Sequence, residues 1–233
     1  MAETETPRQL PLDLGHTPGY SRDDLVESRA NEQAVALVDR WPDWPAPVVV
    51  LAGPAGSGKS HLATIWRDMS SALPLTASDI EAHLGARDTA QPVLIDDADA
   101  GVLDQNGLFH LINQVRGAGS TLLLTARRFP SAWGVTLPDL ASRLKAAATI
   151  EIDEPDDLLL AGVITKLFAD RQIEVDPAVV QYLVRRIERS LSTAIGVVDR
   201  LDRAALEQKT RITRALAAEV LNALDEGQAE FDL

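Results

Sequence analysis

The sequence has no cysteine among its 233 residues, which excludes disulfides and thiolate metal sites. Aromatic residues make up 4% of it, leaving little material for the stacking tracks that hold single-stranded nucleic acid. Positive charge is short as well: 22 Lys and Arg face 35 Asp and Glu, a formal charge of -13 that repels phosphate backbones unless a local patch overrides it. Any such patch belongs to the C-terminal third. Residues 156–214 carry 10 basic and 9 acidic side chains, against 12 and 21 in residues 1–155 and 0 and 5 in the last 19. No apolar run approaches the roughly 18 residues of a membrane span, and the acidic start MAETETP lacks the basic and apolar regions of a signal peptide. The expectation is a soluble, cytoplasmic chain with no membrane partner.

What is present is 45% hydrophobic content, enough for the core of one or two domains. Residues 1–22, with Pro7, Pro11, Pro18 and Gly19, read as an extended tail. Asn31 is placed to cap a helix whose Ala34, Val35, Val38 and Trp41 share a face, and the prolines of WPDWPAP end it. Short all-apolar runs then alternate with helical stretches: VVVLA from Val48, VLI from Val93, TLLL from Thr121 and the later TIEID. Apolar strands separated by helices predict an α/β domain over residues 23–155, a parallel sheet sandwiched by helices. After Pro155 the pattern is wholly helical, with Asp156 and the Asp176-Pro177 pair as helix starts, so residues 156–233 are expected to form a small all-helical lid subdomain with an acidic tail.

GPAGSGKS, covering Gly53, Pro54, Ala55, Gly56, Ser57, Gly58, Lys59 and Ser60, fits G-x-x-x-x-G-K-[ST] between a strand and an amphipathic helix. Its backbone N–H groups would wrap phosphates, the helix start adds a favourable dipole, Lys59 would reach the β and γ phosphates and Ser60 a Mg²⁺ ion. The implied cofactors are ADP or ATP with Mg²⁺. In VLIDDAD, Asp96 and Asp97 follow a buried strand at the edge where such a site holds its metal. There Asp96 would ligate Mg²⁺ and Asp97 orient or deprotonate the attacking water; without the phosphate loop the pair would read as a turn or cap. Thr125 ends a third strand at the same edge, within reach of a γ-phosphate or the water. Arg127 and Arg128 beside it read as solvated, and His61 as a packing residue. Arg143, in LPDLASRLKAAA, reads from pattern alone as a surface arginine balancing a helix C-terminus. Asn31, Trp41 and Trp44 have core and turn roles as one reading and the border of an adenine pocket as another. His16, His83 and His110 show no metal-ligand spacing.

Taken in order, GPAGSGKSHLA, VLIDDAD, LLLTARRFP and LASRL resemble the AAA+ core of the DnaA family of replication proteins, and LPDLASRL with LDRA is similar to its short Hda regulators. The likeness covers most of residues 22–225, and because the family shares SHL after the loop it implies a place for His61 beside the nucleotide as the alternative to packing. It implies that Arg143 is an arginine finger offered to a neighbouring ATPase, that DnaA is a partner, and that the protein restrains replication initiation. It also implies a use for QLPLDL: Gln9, Leu10, Leu12 and Leu14 match the motif by which such regulators bind the DNA polymerase III sliding clamp (beta subunit). Alternate leucines of an extended segment point one way, and each gains roughly 1.5–3 kcal/mol on full burial. From pattern alone the segment would pack as an edge strand on its own domain. The family's second sensor arginine falls on Ser192, with Arg189 and Arg200 as unaligned substitutes, which points to weak hydrolysis by the chain itself. No sequence-specific DNA reader is expected, and nucleotide-dependent self-association is compatible with the family.

Two other readings compete. A helicase-loader-like ATPase acting on single-stranded DNA would use Arg185, Arg186 and Arg189 as its basic track, residues that equally form a solvated helix face. A metabolic P-loop kinase would need an acceptor pocket that the helical C-terminal region does not offer.

Overall fold

The computed structural model describes residues 21–78, 80–85 and 90–229, with backbone alone for 225–229. The Gln9–Leu14 segment lies outside them. The chain divides into two compact units, one of Tyr20–Leu160 with Arg189–Leu191, the other containing Ala161–Glu188 and the chain from Ser192 onward.

The first unit is built on a five-stranded sheet of order β2-β3-β4-β1-β5, with β1 Val48–Ala52, β2 Leu73–Leu75, β3 Val93–Ile95, β4 Leu122–Ala126 and β5 Ala148–Glu151. Every pairing is parallel. Because successive residues of a strand face opposite sides, the central strands divide their apolar side chains between two cores. Val48, Val50, Val93, Ile95, Leu122 and Leu124 pack with α4 Gln105–Ala118 and α5 Pro138–Lys145 through Leu108, Leu111, Ile112, Val115, Leu140 and Leu144. Val49, Leu51, Leu94 and Leu123 face the other way, onto α1 Glu32–Asp39 and α2 Lys59–Ser70 through Val35, Val38, Leu62, Ile65 and Trp66. Burial on both faces is why β1, β3 and β4 read as unbroken apolar runs.

Three details differ from the sequence reading. β2, with Pro74 at its centre, was not anticipated; it is an edge strand, the position where a missing N–H is tolerated. Asn31 occupies the N-cap position of α1 but makes no cap bond. Its side chain turns back, accepting from the Ser28 N–H (2.8 Å) and donating to the Val26 carbonyl (2.9 Å), and so holds the preceding loop. Trp41 lies beyond the end of α1 and meets Trp66 edge-on, while Trp44 stacks on Trp66 at 5.1 Å. The two tryptophans are therefore packing residues. α3, Glu81–Leu84, is a single turn.

In the second unit α6 Asp157–Asp170, α7 Pro177–Val184, α8 Leu191–Gln208 and α9 Arg214–Ala229 follow in order; the first residues of α6 and α8 belong to the first unit. The expected caps are in place. Asp156 accepts from the Leu159 N–H at 2.7 Å and Asp176 from the Ala178 N–H at 2.8 Å. Ile164, Phe168, Val180, Leu183, Val198 and Leu201 are buried.

Candidate functional site

β1 delivers the chain into the glycine-rich loop at the C-terminal edge of the sheet. Gly53 donates to the Ala126 carbonyl at the end of β4 (3.1 Å), and a Cβ there would lie 2.3 Å from the Ile152 carbonyl oxygen. Only glycine fits so close an approach. Gly58 begins α2 with a left-handed φ of 97° and no side-chain cap, leaving the first turn of the helix without a side-chain acceptor for its N–H groups. The loop rests on the start of α8, where the Leu191 N–H donates to the Gly56 carbonyl at 2.8 Å. Ser57 is buried and Ala55 exposed.

Lys59 is 5% exposed. Its Nζ donates to the carbonyl oxygens of Gly53 (2.8 Å) and Pro54 (2.6 Å) and approaches Ser57 Oγ at 3.5 Å. Burial pushes the ammonium below its ordinary pKa, opposed by the Asp97 carboxylate and reinforced by Arg127. The lysine is thus held over the loop by groups it can exchange for other oxygens.

β3 and β4 are neighbours in register, Ile95 beside Leu124, and this brings Asp96 and Asp97 to Thr125. The fully buried Thr125 hydroxyl donates to Asp96 Oδ1 (2.5 Å) and accepts from the Asp97 N–H (2.8 Å), while the Thr125 carbonyl accepts from the Ala98 N–H (2.7 Å). Asp97 adopts φ 50°, a left-handed turn off the strand that aspartate tolerates better than most residues. Ser60 Oγ reaches the same Asp96 oxygen at 3.2 Å. Ser60, Asp96 and Asp97 open onto a cleft of about 460 Å³ that Thr76, Ser78 and Gly101 also line. The residues singled out around the phosphate loop are brought together. Among the described residues no cluster of three or more His, Cys, Asp or Glu forms a metal cage.

One residue at this edge escaped the sequence reading. Asp99, its side chain 1% exposed, accepts from the Arg127 N–H (2.8 Å), the Arg128 N–H (3.1 Å) and Arg128 Nε (3.2 Å). Burial alone would raise its carboxyl, but these bonds outweigh burial and hold it below the usual carboxylate range. Arg128 is therefore not simply solvated: it is tied to Asp99. The signal was the third aspartate of DDAD facing two arginines that follow the next strand.

Arg143 lies elsewhere. It stands in the last turn of α5, half-exposed, on a separate cleft of about 380 Å³ with Phe109, Arg116, Asp139, Ser142 and Ala146. None of these residues belongs to the phosphate loop. The arginines of the loader reading are partly engaged: Arg186 stacks on Tyr182 at 4.5 Å, as Arg214 does at 4.9 Å, and Arg189 pairs with Asp157 at 2.8 Å. No helix among the described residues is long and apolar enough to cross a membrane.

The chain resembles known proteins in both sequence and fold. The model of the family "Hda, lid domain" matches residues 163–221. An uncharacterized protein of Haemophilus influenzae is 27% identical over 233 residues, covering 92% of this chain and 99% of its own length. The chromosomal replication initiator protein DnaA of Sphingopyxis alaskensis is 28% identical over 245 residues, covering 92% of this chain and 53% of its own, so the chain spans about half of that relative. Domain III of the Thermotoga maritima replication initiation protein DnaA has the same fold, with a TM-score of 0.74 at 17% identity over 89% of this chain and 97% of that one. Residues 163–221 thus match an Hda lid domain, and the chain has the fold of DnaA domain III, a parallel sheet sandwiched by helices and followed by helices alone.

Proposed function

We propose that the chain is a nucleotide-bound AAA+ adaptor and a negative regulator of chromosomal replication initiation. Docked on the DNA polymerase III sliding clamp through Gln9, Leu10, Leu12 and Leu14, it presents Arg143 to the ATP held by DnaA. The observation that carries this reading is the position of Arg143. Its guanidinium lies on a cleft with none of the phosphate-loop residues, and no hydrogen bond or ion pair within the described chain engages it. An arginine so placed is available to charge developing on another protein's nucleotide, a contribution worth about 10³–10⁵ in rate. The Hda lid match and the DnaA-type fold support the choice of DnaA as that protein.

The chain's own nucleotide, ADP or ATP, would be cradled by the loop from Gly53 to Ser60 and the first turn of α2, including His61. Lys59 would exchange the Gly53 and Pro54 carbonyls for phosphate oxygens. Ser60 Oγ and the Asp96 carboxylate are adjacent hard-oxygen donors that suit Mg²⁺, which keeps most of its shell for water and phosphate. Bound there, Mg²⁺ would neutralise phosphate charge. Asp97 would orient a water and Thr125 hold both aspartates at the sheet edge. With Ser192 at the second sensor position, turnover by the chain itself is slow.

The test of the docking claim is the hydrolysis rate of DnaA-bound ATP with this protein added, with and without clamp loaded on DNA. Stimulation is expected with loaded clamp alone, and Gln9→Ala combined with Leu10→Ala removes it. Stimulation independent of the clamp contradicts the docking claim. Absence of stimulation together with steady ATP turnover by this protein contradicts the adaptor reading.

A further inference from the structure

The cleft that holds Arg143 contains a second cation. Arg116 stands in the last turn of α4, Arg143 in the last turn of α5, and both line the same opening of about 380 Å³. Their spacing is fixed by the core beneath: Leu111, Ile112 and Val115 of α4 and Leu140 and Leu144 of α5 are buried in one cluster. The helix starts are tied as well, because the Gln105 side-chain oxygen at the head of α4 accepts from the N–H groups of Thr136 (2.9 Å) and Leu137 (3.1 Å) just before α5.

Neither guanidinium has a hydrogen bond or ion pair within the described chain. Each offers a planar fork of N–H donors suited to phosphate or carboxylate oxygens. Asp139 is the one carboxylate in the lining, so the opening carries an excess positive charge on a protein whose total is -13. Phe109 adds an apolar ring to the lining. An opening with two cations on helices that share one core, unpartnered at its charged tips, is complementary to an anionic group from outside.

Resting on the reading of Arg143 given above, we propose that Arg116 and Arg143 form a two-armed clamp for the phosphate end of a nucleotide held by the neighbouring ATPase. Arg116 engages phosphate oxygens in the ground state and sets the approach. Arg143 acts on the charge that develops as the terminal phosphoryl group transfers. Removing Arg116 therefore weakens association more than it slows the chemical step.

The test is a titration of single-turnover hydrolysis of DnaA-bound ATP, on loaded clamp, with wild type, Arg116→Ala, Arg116→Lys and Arg143→Ala. Arg116→Ala is expected to raise the half-saturating concentration about tenfold, with a maximal rate within about twofold of wild type, as for loss of one charged contact at an interface. Arg116→Lys recovers part of the loss, since it keeps the charge without the fork, and the difference between variants shrinks as salt is added. Should Arg116→Ala unfold, Arg116→Lys and Arg116→Gln carry the same comparison. A wild-type curve for the Arg116 variants beside an inactive Arg143→Ala overturns the clamp and leaves the Arg143 reading standing. Wild-type curves for both arginines overturn that reading too. A reduced maximal rate with unchanged half-saturation overturns the ground-state role of Arg116.

Discussion

The phosphate-loop edge and the cleft between α4 and α5 both present cations, yet the chain treats them in opposite ways. At the edge, polar groups are bonded to one another: Lys59 to two loop carbonyls, Ser60 and Thr125 to Asp96, Thr125 to the Asp97 N–H. At the cleft, Arg116 and Arg143 have no such partner in the described chain. Groups already held at hydrogen-bonding distance bind a ligand by exchange, so little ordering is needed when it arrives. Guanidinium groups on helices packed to one core, with no partner at their tips in the described chain, are available to another molecule. On the reading proposed above, the first region serves the chain's own ligand and the second a partner's.

Variants that separate the two regions sharpen the contrast. The largest expected effect is that of Arg143→Ala, which should lower the maximal stimulated hydrolysis of DnaA-bound ATP by about 10³ or more, measured by single turnover, without altering nucleotide binding by the chain itself. Lys59→Ala acts on the other side of the comparison. A charge-assisted hydrogen bond is worth about 1.5–3 kcal/mol, so ADP affinity, read by calorimetry, should fall about 10- to 100-fold.

Asp99→Asn gives the smallest effect and concerns the edge alone. The variant loses the charged acceptor of two backbone N–H groups, an expected cost of about 1–3 kcal/mol in urea unfolding. The exposed Arg128, at 59%, contributes little of this through its ion pair. The folded pKa of Asp99 is depressed, so its stabilisation is complete above the ordinary carboxylate value of about 3.9 and disappears as pH falls through the folded one. Wild type should therefore lose stability on acidification more steeply than Asp99→Asn. Parallel acid limbs would remove Asp99 from the account of the edge.

Legibility in the sequence follows how local each signal is. The central strands were readable because burial on both faces makes them apolar without alternation, and GPAGSGKS because its backbone demands lie within eight residues. β2 was not, since LPL is too short for a period and its proline argues against a strand until its edge position is known. Asp99 and Gln105 were missed because their partners lie about 30 residues away: 28 for Asp99 with the Arg127 N–H and 31 for Gln105 with the Thr136 N–H. Trp66 gave no sign of its packing between elements, where Trp41 and Trp44 meet it from beyond α1. Arg143 stood out through resemblance alone. Arg116 had no sequence signal, because its significance lies in sharing an opening with a residue on another helix.

The most direct measurement reads both regions in one sample: occupancy of this chain's site by a fluorescent ADP, alongside single-turnover hydrolysis of ATP held by DnaA on loaded clamp, for wild type and Arg143→Ala. The account predicts full ADP occupancy and lost stimulation for Arg143→Ala. Stimulation at the wild-type rate, or loss of occupancy together with stimulation, would contradict the division between a site for the chain's own nucleotide and a surface for its partner's.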